Sequence, residues 1–117
     1  MVRDIWLFRY PDGVSVEEGE EWYMGKHVHE VKQMPGVRKY LTWKVLDVPE
    51  RPSKLVRLTE VWWDDIDTWR RVWPERGKWI KTPAPWGGPP PLVAEPVFLD
   101  EKPEHDLMSD ISRLRKM

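Results

Sequence analysis

Residues 15–46 read SVEEGEEWYMGKHVHEVKQMPGVRKYLTWKVL, and this stretch contains the change of hydrophobic period that decides the fold. Its first half has helical spacing, and Ser15 with Glu18 three residues later is typical of a capping box. Pro35-Gly36 ends that run, and the alternating side chains that follow indicate a strand. The short connection predicts a helix and a strand that fold toward one another.

The segments on either side complete a β-α-β-β-α-β order. Asp64 or Asp65 is placed to cap a second helix, which Pro74 closes or kinks. Pro96 lacks the N–H that a central strand donates, so the last strand belongs at a sheet edge. This order is the split βαβ arrangement of an α+β, ferredoxin-like domain with an antiparallel sheet. The predicted strands are residues 2–10, 37–48, 54–63 and 92–99.

The first three predicted strands are apolar on both faces. In the first, Ile5 and Leu7 alternate with Trp6 and Phe8. An antiparallel sheet that helices cover on one side normally leaves its other side polar. The second face therefore needs a partner, and a second copy of the same sheet is the simplest one. We expect a homodimer sealed sheet to sheet.

The chain length predicts one domain and a tail. At 117 residues there is room for a single two-layer core, which we assign to residues 1–100. Residues 101–117 form the tail. Its Leu107, Ile111 and Leu114 share one helical face, and its last residues are basic, which suits a helix C-terminus. We expect a helical tail that docks on the dimer.

Composition excludes several classes of function. Nineteen basic and twenty acidic residues are interspersed and leave a net charge of -1, so nothing attracts nucleic acid or an anionic membrane over long range. Cysteine is absent, which removes disulfides, thiol nucleophiles and thiolate metal sites. No apolar run is long enough for a signal peptide or a membrane span. We expect a soluble, cytoplasmic protein.

Nine tryptophans accompany only two phenylalanines. Because the indole N–H needs a partner, an excess of Trp suits pocket walls and interfaces better than a dry core. Core packing or dimer contact is the competing explanation for each Trp. The proline-rich residues 83–91 predict an ordered wall that carries Trp86 near a pocket. The residues expected to line that pocket, around a flat aromatic or alicyclic ligand, are Phe8, Tyr23, Trp62, Trp79 and Trp86.

About two thirds of the chain resembles the EthD-like branch of the dimeric α/β barrel superfamily. The matching pieces are Pro11-Asp12-Gly13, Ser15-Val16-Glu17-Glu18, Trp22-Tyr23, His27, Met34-Pro35-Gly36-Val37-Arg38-Lys39-Tyr40 and Thr59-Glu60-Val61-Trp62-Trp63-Asp64-Asp65. The resemblance implies a dimer with a pocket between each subunit's sheet and helices. Activities in that superfamily include muconolactone isomerisation, polyketide cyclisation, dehydration or decarboxylation, cofactor-free oxygenation and heme degradation. Gly19 stands where the family usually has a bulky aromatic residue.

His27 is the first candidate for chemistry. It shares a helical stripe with Tyr23, so it faces the sheet, either as a hydrogen-bonded core residue or as a pocket acid/base; the resemblance favours the second. An imidazole takes and returns a proton near neutral pH, and burial favours its neutral, basic form. His29 points about 200° away at roughly 100° per helical residue, so the two histidines cannot share an ion. We expect neither metal nor cofactor.

Tyr40 and Glu60 are the other catalytic candidates. If the family geometry holds, Tyr40 presents its hydroxyl to the cavity of His27; otherwise it is a rim tyrosine. Glu60 lies mid-strand among apolar neighbours, where an unpaired carboxylate is costly. Either Arg57 or Arg38 pairs with it, or it is a second proton-transfer group with a raised pKa.

Proton transfer is the catalysis that this residue set supplies best, because the sequence has no Cys, glycine-rich phosphate loop or nucleophile elbow. We therefore predict a cofactor-free isomerase, lyase or cyclase that acts on a small hydrophobic or aromatic molecule. A non-catalytic binding or accessory protein of EthD type is the alternative. Heme binding through His27 is a weaker one.

Overall fold

The five strands form one antiparallel sheet in this computed structural model, which describes residues 1–88 and 90–109. The sheet order is β2-β3-β1-β4, and β5 also pairs with β1. β1 and β3 are therefore central, and the α+β ferredoxin-like prediction is confirmed. The strands are β1 (Val2–Arg9), β2 (Val37–Lys44), β3 (Arg57–Trp63), β4 (Val93–Ala94) and β5 (Val97–Asp100).

β4 and β5 are two pieces of one edge strand. Phe8 lies opposite Ala94 and Ile5 lies opposite Val97, so both pieces keep the same register on β1. Pro96 falls in the gap between them, where its missing N–H costs no central ladder bond. The predicted edge position is confirmed. The hairpin strands are shorter than predicted, since residues 45–56 form an irregular loop with a single bridge between Val48 and Arg51.

The helices cover one face of the sheet. Both predicted caps are present, since Ser15 Oγ accepts from the Glu18 N–H at 3.1 Å and Asp65 Oδ1 accepts from the Thr68 N–H at 2.7 Å. Gly36 has a φ of 93°, which lets the chain turn from helix to β2 without strain. The helical elements are α1 (Val16–Trp22), a π-helical turn (Tyr23–His27), α2 (Val28–Val31), α3 (Ile66–Val72) and a 3₁₀ turn (Trp73–Lys78).

The core lies between this helical layer and the sheet. Phe8, Tyr23 and Trp63 are fully buried there. At Gly19 the helix backbone meets the ring of Tyr10, which occupies the space that a Cβ would need. Gly19 thus lets the helix approach closely.

The other face of the sheet is open in the monomer. Its exposed apolar residues include Leu7, Leu41, Trp43 and Leu99, which keep 40%, 39%, 49% and 47% of their surface exposed. The expectation of two apolar faces is confirmed.

The tail is described only at its beginning. Residues 107–109 start a helical turn, and Leu107 is 67% exposed. Ile111 and Leu114 lie outside the described residues, so docking of the tail stays a prediction. In the described part of the chain, no helix has the length and apolar character to cross a membrane.

Candidate functional site

A cavity of about 50 Å³ lies between the sheet and the helices. Most of its wall is aromatic or aliphatic, including Phe8, Trp6 and Trp63. We call it the inner cavity. Its titratable or hydroxyl-bearing lining residues are Asp4, Tyr23, His27, Tyr40 and Thr59.

A larger groove of about 850 Å³ lies next to the inner cavity, and we call it the outer groove. Trp6, His27, Trp73 and Leu92 line both spaces. Several residues between 83 and 91 form part of the wall of the outer groove. His27 therefore lies at the junction of the inner cavity and the outer groove.

A π-helical turn positions His27. The Val28 N–H donates to the Tyr23 carbonyl five residues earlier. On a regular α-helix, residues five apart point about 140° from each other, but here the rings of Trp22 and His27 stack with centroids 4.6 Å apart. Such turns are frequent at functional sites. The turn thus supports His27 on an aromatic ring at the cavity wall.

The His27 imidazole is half-buried and incompletely hydrogen-bonded. Its Nδ1 has no hydrogen-bond partner among the described residues. Burial lowers the pKa of His27 from 6.5 to about 4, and the Glu30 carboxylate opposes this only in part. The imidazole is therefore neutral at physiological pH. A buried nitrogen without a partner is costly, and the indole N–H groups of Trp22 and Trp63 share this state.

Tyr23 and Tyr40 form a hydroxyl pair in the inner cavity. Their oxygens are 2.5 Å apart, and burial raises the pKa of both phenols. Both are therefore protonated at neutral pH. One donates to the other, and the accepting tyrosine keeps a proton for a ligand oxygen.

Asp4 is a site residue that the sequence reasoning missed. It is only 4% exposed, and burial raises its pKa from 3.8 to about 6. It shares the even-numbered face of β1 with Trp6 and Phe8, which also line the inner cavity. A carboxylate on the same alternating stripe of a strand as Trp6 and Phe8 is the signal that could have identified it.

The structure places Glu60 and Trp62 on the opposite face of the sheet, away from the inner cavity. Glu60 lies opposite Ile5 and Leu41 in the ladders and accepts from Arg3 and from Trp62 Nε1. Burial alone would raise its pKa, but these hydrogen bonds lower it. The assignment of Glu60 as a second proton-transfer group at this site is therefore corrected.

The arginines expected beside Glu60 have other partners. Arg57 Nε donates to the Glu20 carboxylate at 2.8 Å. Arg38 Nε donates to Asp64 at 2.7 Å. Glu60 does pair with an arginine, but that arginine is Arg3 and not Arg57 or Arg38.

The remaining predicted site residues lie at different depths. Phe8 and Tyr23 line the inner cavity. Trp86 supports the outer groove from behind, since its Nε1 donates to the Pro91 carbonyl at 3.1 Å and its ring meets Trp22 edge-on at 5.2 Å. Trp79 packs against the part of the core that contains Val61 and Trp63, and it lines neither space.

His27 and His29 do not share a site. His27 lines the cavity, whereas His29 is exposed, as the helical spacing predicts. Within residues 1–88 and 90–109, no three His, Asp or Glu side chains cluster in a way that could hold a metal ion.

Comparison with known proteins identifies the fold. No protein-family model and no curated protein matches the chain. An ethyl tert-butyl ether D (EthD) family protein from Bacillus halodurans is 20% identical with a TM-score of 0.65, covering 87% of this chain and 99% of its own. An EthD-like protein from Ralstonia eutropha is 11% identical with a TM-score of 0.56, covering 90% and 95%.

A hydroxynitrile lyase from Passiflora edulis is also similar. It is 12% identical with a TM-score of 0.55, and the match covers 86% of this chain and 94% of that protein. At these identities the likeness shows the fold, which is the EthD-like form of the ferredoxin-like domain.

Proposed function

We propose that this chain, whose fold is that of EthD family proteins, is a cofactor-free acid/base enzyme of lyase or isomerase type. Its substrate is a small hydrophobic or aromatic molecule. One observation carries the proposal: a neutral His27 with an unpartnered Nδ1 shares a 50 Å³ cavity with Asp4 and the Tyr23–Tyr40 pair. This set contains a base, a hydrogen-bond donor and a carboxyl group.

In the proposed mechanism, His27 removes a proton from a substrate hydroxyl or from a carbon next to a carbonyl. Its neutral imidazole suits this role at physiological pH. A phenol of the tyrosine pair donates a hydrogen bond to the oxygen that gains negative charge.

Cyanohydrin cleavage is the first reaction to test, because a hydroxynitrile lyase has this fold. With mandelonitrile, His27 takes the hydroxyl proton while the carbon–carbon bond to the nitrile breaks. The oxygen becomes the carbonyl of benzaldehyde. The released cyanide takes the proton from the imidazolium and leaves as hydrogen cyanide.

The experiment compares His27→Ala with wild type and with His29→Ala, a matched control that removes an exposed histidine from the same helix. The readouts are benzaldehyde release from mandelonitrile and deuterium exchange into the α-carbon of 2-tetralone. We expect His27→Ala to lose about 10²–10⁴-fold of the rate, the usual contribution of a general base, and His29→Ala to keep it.

Equal rates for His27→Ala and wild type would overturn the assignment of His27. Binding of 2-tetralone with neither exchange nor cleavage by the wild type would favour the carrier or accessory alternative. The outer groove of about 850 Å³ is the observation that favours that alternative. A Soret band in the purified protein would favour heme binding instead.

The open sheet face supports a homodimer as part of this proposal. Its exposed apolar side chains include Leu7, Leu41 and Trp43. A second copy would cover them and leave each inner cavity on the helical side of its own sheet. A cytoplasmic location stays a prediction.

A further inference from the structure

We propose that the outer groove selects an organic anion: a flat aromatic or alicyclic molecule whose carboxylate pairs with Arg76 and Lys81. This inference rests on the proposed function, because it names the class of ligand whose other end enters the inner cavity.

The groove provides broad apolar surfaces. Trp6, Trp22 and Trp73 line it together with several prolines of residues 83–91. Aromatic rings and prolines are rigid, so a flat ligand buries its faces against them at little cost in side-chain entropy. The lining thus favours a ring system as the body of the ligand.

The charge of the groove is one-sided. Apart from His27, the ionisable residues in its lining are Arg76 and Lys81, and no Asp or Glu lines it among the described residues. Arg76 is held in place, since its Nη1 donates to the Trp73 carbonyl at 3.0 Å and its guanidinium lies 4.6 Å from the Trp73 ring centroid. Its other N–H groups make no further hydrogen bond within residues 1–88 and 90–109.

Two glutamates lie close to Arg76 and Lys81, and both have other partners. Glu75 precedes Arg76 in the sequence, and Glu30 contacts the backbone of Lys81. Glu75 accepts from Lys78 Nζ at 2.7 Å. The Glu30 carboxylate accepts from the backbone N–H groups of Lys81 and Thr82 at 2.9 to 3.2 Å. Neither glutamate lines the groove. Within the described chain, the side chains of Arg76 and Lys81 therefore have no carboxylate partner, and a ligand carboxylate would supply one.

Asp4 sets the direction of the ligand. Its carboxyl lines the inner cavity, and its pKa of about 6 leaves it mostly ionised at neutral pH. A ligand carboxylate placed beside it would meet a like charge, whereas Arg76 and Lys81 at the groove attract it. The end of the chain is a poor occupant, because Arg113, Arg115 and Lys116 are cationic like the groove.

The test compares 2-naphthoate with 2-naphthamide, which have the same ring system but differ in charge. Isothermal titration calorimetry at low salt measures both dissociation constants. We expect naphthoate to bind about 3- to 10-fold more tightly, as two solvent-exposed ion pairs allow. In Arg76→Gln/Lys81→Gln this preference is lost, and the affinity for naphthamide stays the same.

The control variant Arg51→Gln/Lys54→Gln removes the same charge from exposed positions outside the groove and should keep the preference. High salt should reduce the preference in the wild type. The inference is overturned if the wild type shows no preference, if neither ligand binds, or if the Arg76/Lys81 variant keeps the preference. Repeating the titration in His27→Ala separates the two proposals. A variant that loses turnover but still prefers naphthoate is consistent with both of them. A variant that keeps turnover and still prefers naphthoate contradicts only the proposed role of His27.

Discussion

Asp4 and His27 carry opposite pKa shifts from the same cause. Burial disfavours the charged form of each group, so it raises the pKa of the Asp4 carboxyl to about 6 and lowers that of the His27 imidazole to about 4. Groups with displaced pKa values that line one cavity, as these two do, are typical of acid/base sites. Each shifted pKa lowers the free energy of unfolding over a defined pH range. Unfolding experiments at different pH values can therefore measure this cost.

Asp4→Asn is predicted to stabilise the protein at neutral pH. The folded state binds the Asp4 proton more tightly than the unfolded state, so the stability that Asp4 contributes below pH 3.8 is lost as the pH rises through about 6. Asn removes this loss. The gain in the free energy of unfolding should grow between pH 4 and pH 7 to on the order of 2 kcal/mol, at about 1.4 kcal/mol per pKa unit.

Urea unfolding of Asp4→Asn and wild type over this pH range measures the effect. His27→Gln provides the opposite control. The stability that His27 contributes above pH 6.5 is lost as the pH falls through about 4, so this variant should gain on wild type at low pH. A difference between Asp4→Asn and wild type that is constant with pH would contradict the assigned pKa of Asp4.

Residue-level prediction failed where both faces of a strand are apolar. In β3, Thr59, Val61 and Trp63 face the helices, whereas Glu60 and Trp62 face the open side. Alternation separates these two sets but does not tell which one the helices cover. The sequence therefore predicts Glu60 and Trp62 at the pocket and does not single out Asp4.

At the scale of elements, the sequence predicted most of the architecture. The caps at Ser15 and Asp65 and the edge strand at Pro96 depend on local chemistry, which a sequence displays directly. The π-helical turn (Tyr23–His27) depends on a shift of backbone hydrogen bonds that leaves no periodic pattern. It decides how the His27 ring stacks, so the detailed geometry of the site could not be predicted.

Gly19→Ala is predicted to destabilise the protein although alanine favours helices. The new Cβ would overlap the Tyr10 ring, which packs between this helix and the sheet. Overpacking of this kind costs about 1–3 kcal/mol. Gly25→Ala is the matched control, because nothing lies within 4 Å of its added Cβ; it should gain roughly 0.5–1 kcal/mol from helix propensity.

Thermal and urea unfolding of the two variants tests this close approach of helix and sheet. Equal stability of Gly19→Ala and Gly25→Ala would mean that the Tyr10 ring moves aside freely. The expected opposite signs would instead show that this glycine sets the distance between the two layers, and so the depth of the pocket region.

At the scale of the whole molecule, the two faces of the sheet carry different sets of side chains. The helical face holds the inner cavity, and the open face holds the Arg3–Glu60 pair with Trp62 among exposed apolar side chains. Glu60 is only 7% exposed, and its hydrogen bonds from Arg3 and Trp62 give this carboxylate partners on the open face. An unpaired carboxylate there would be costly in a dry interface.

Trp43→Glu is predicted to dissociate a two-fold homodimer. Trp43 is 49% exposed on the open face, and an obligate interface on this face should bury about 2,000 Å² or more in total. The variant would place an unpaired carboxylate from each subunit in that interface, which should raise the dissociation constant by roughly two orders of magnitude or more.

Val16→Glu is the control, because Val16 is 51% exposed in the first turn of α1, away from the sheet. Sedimentation equilibrium should show dimers for wild type and Val16→Glu and monomers for Trp43→Glu, with circular dichroism confirming that all three fold. A monomeric wild type at micromolar concentration, or a Trp43→Glu variant that stays dimeric, would mean that the open face is not the dimer interface.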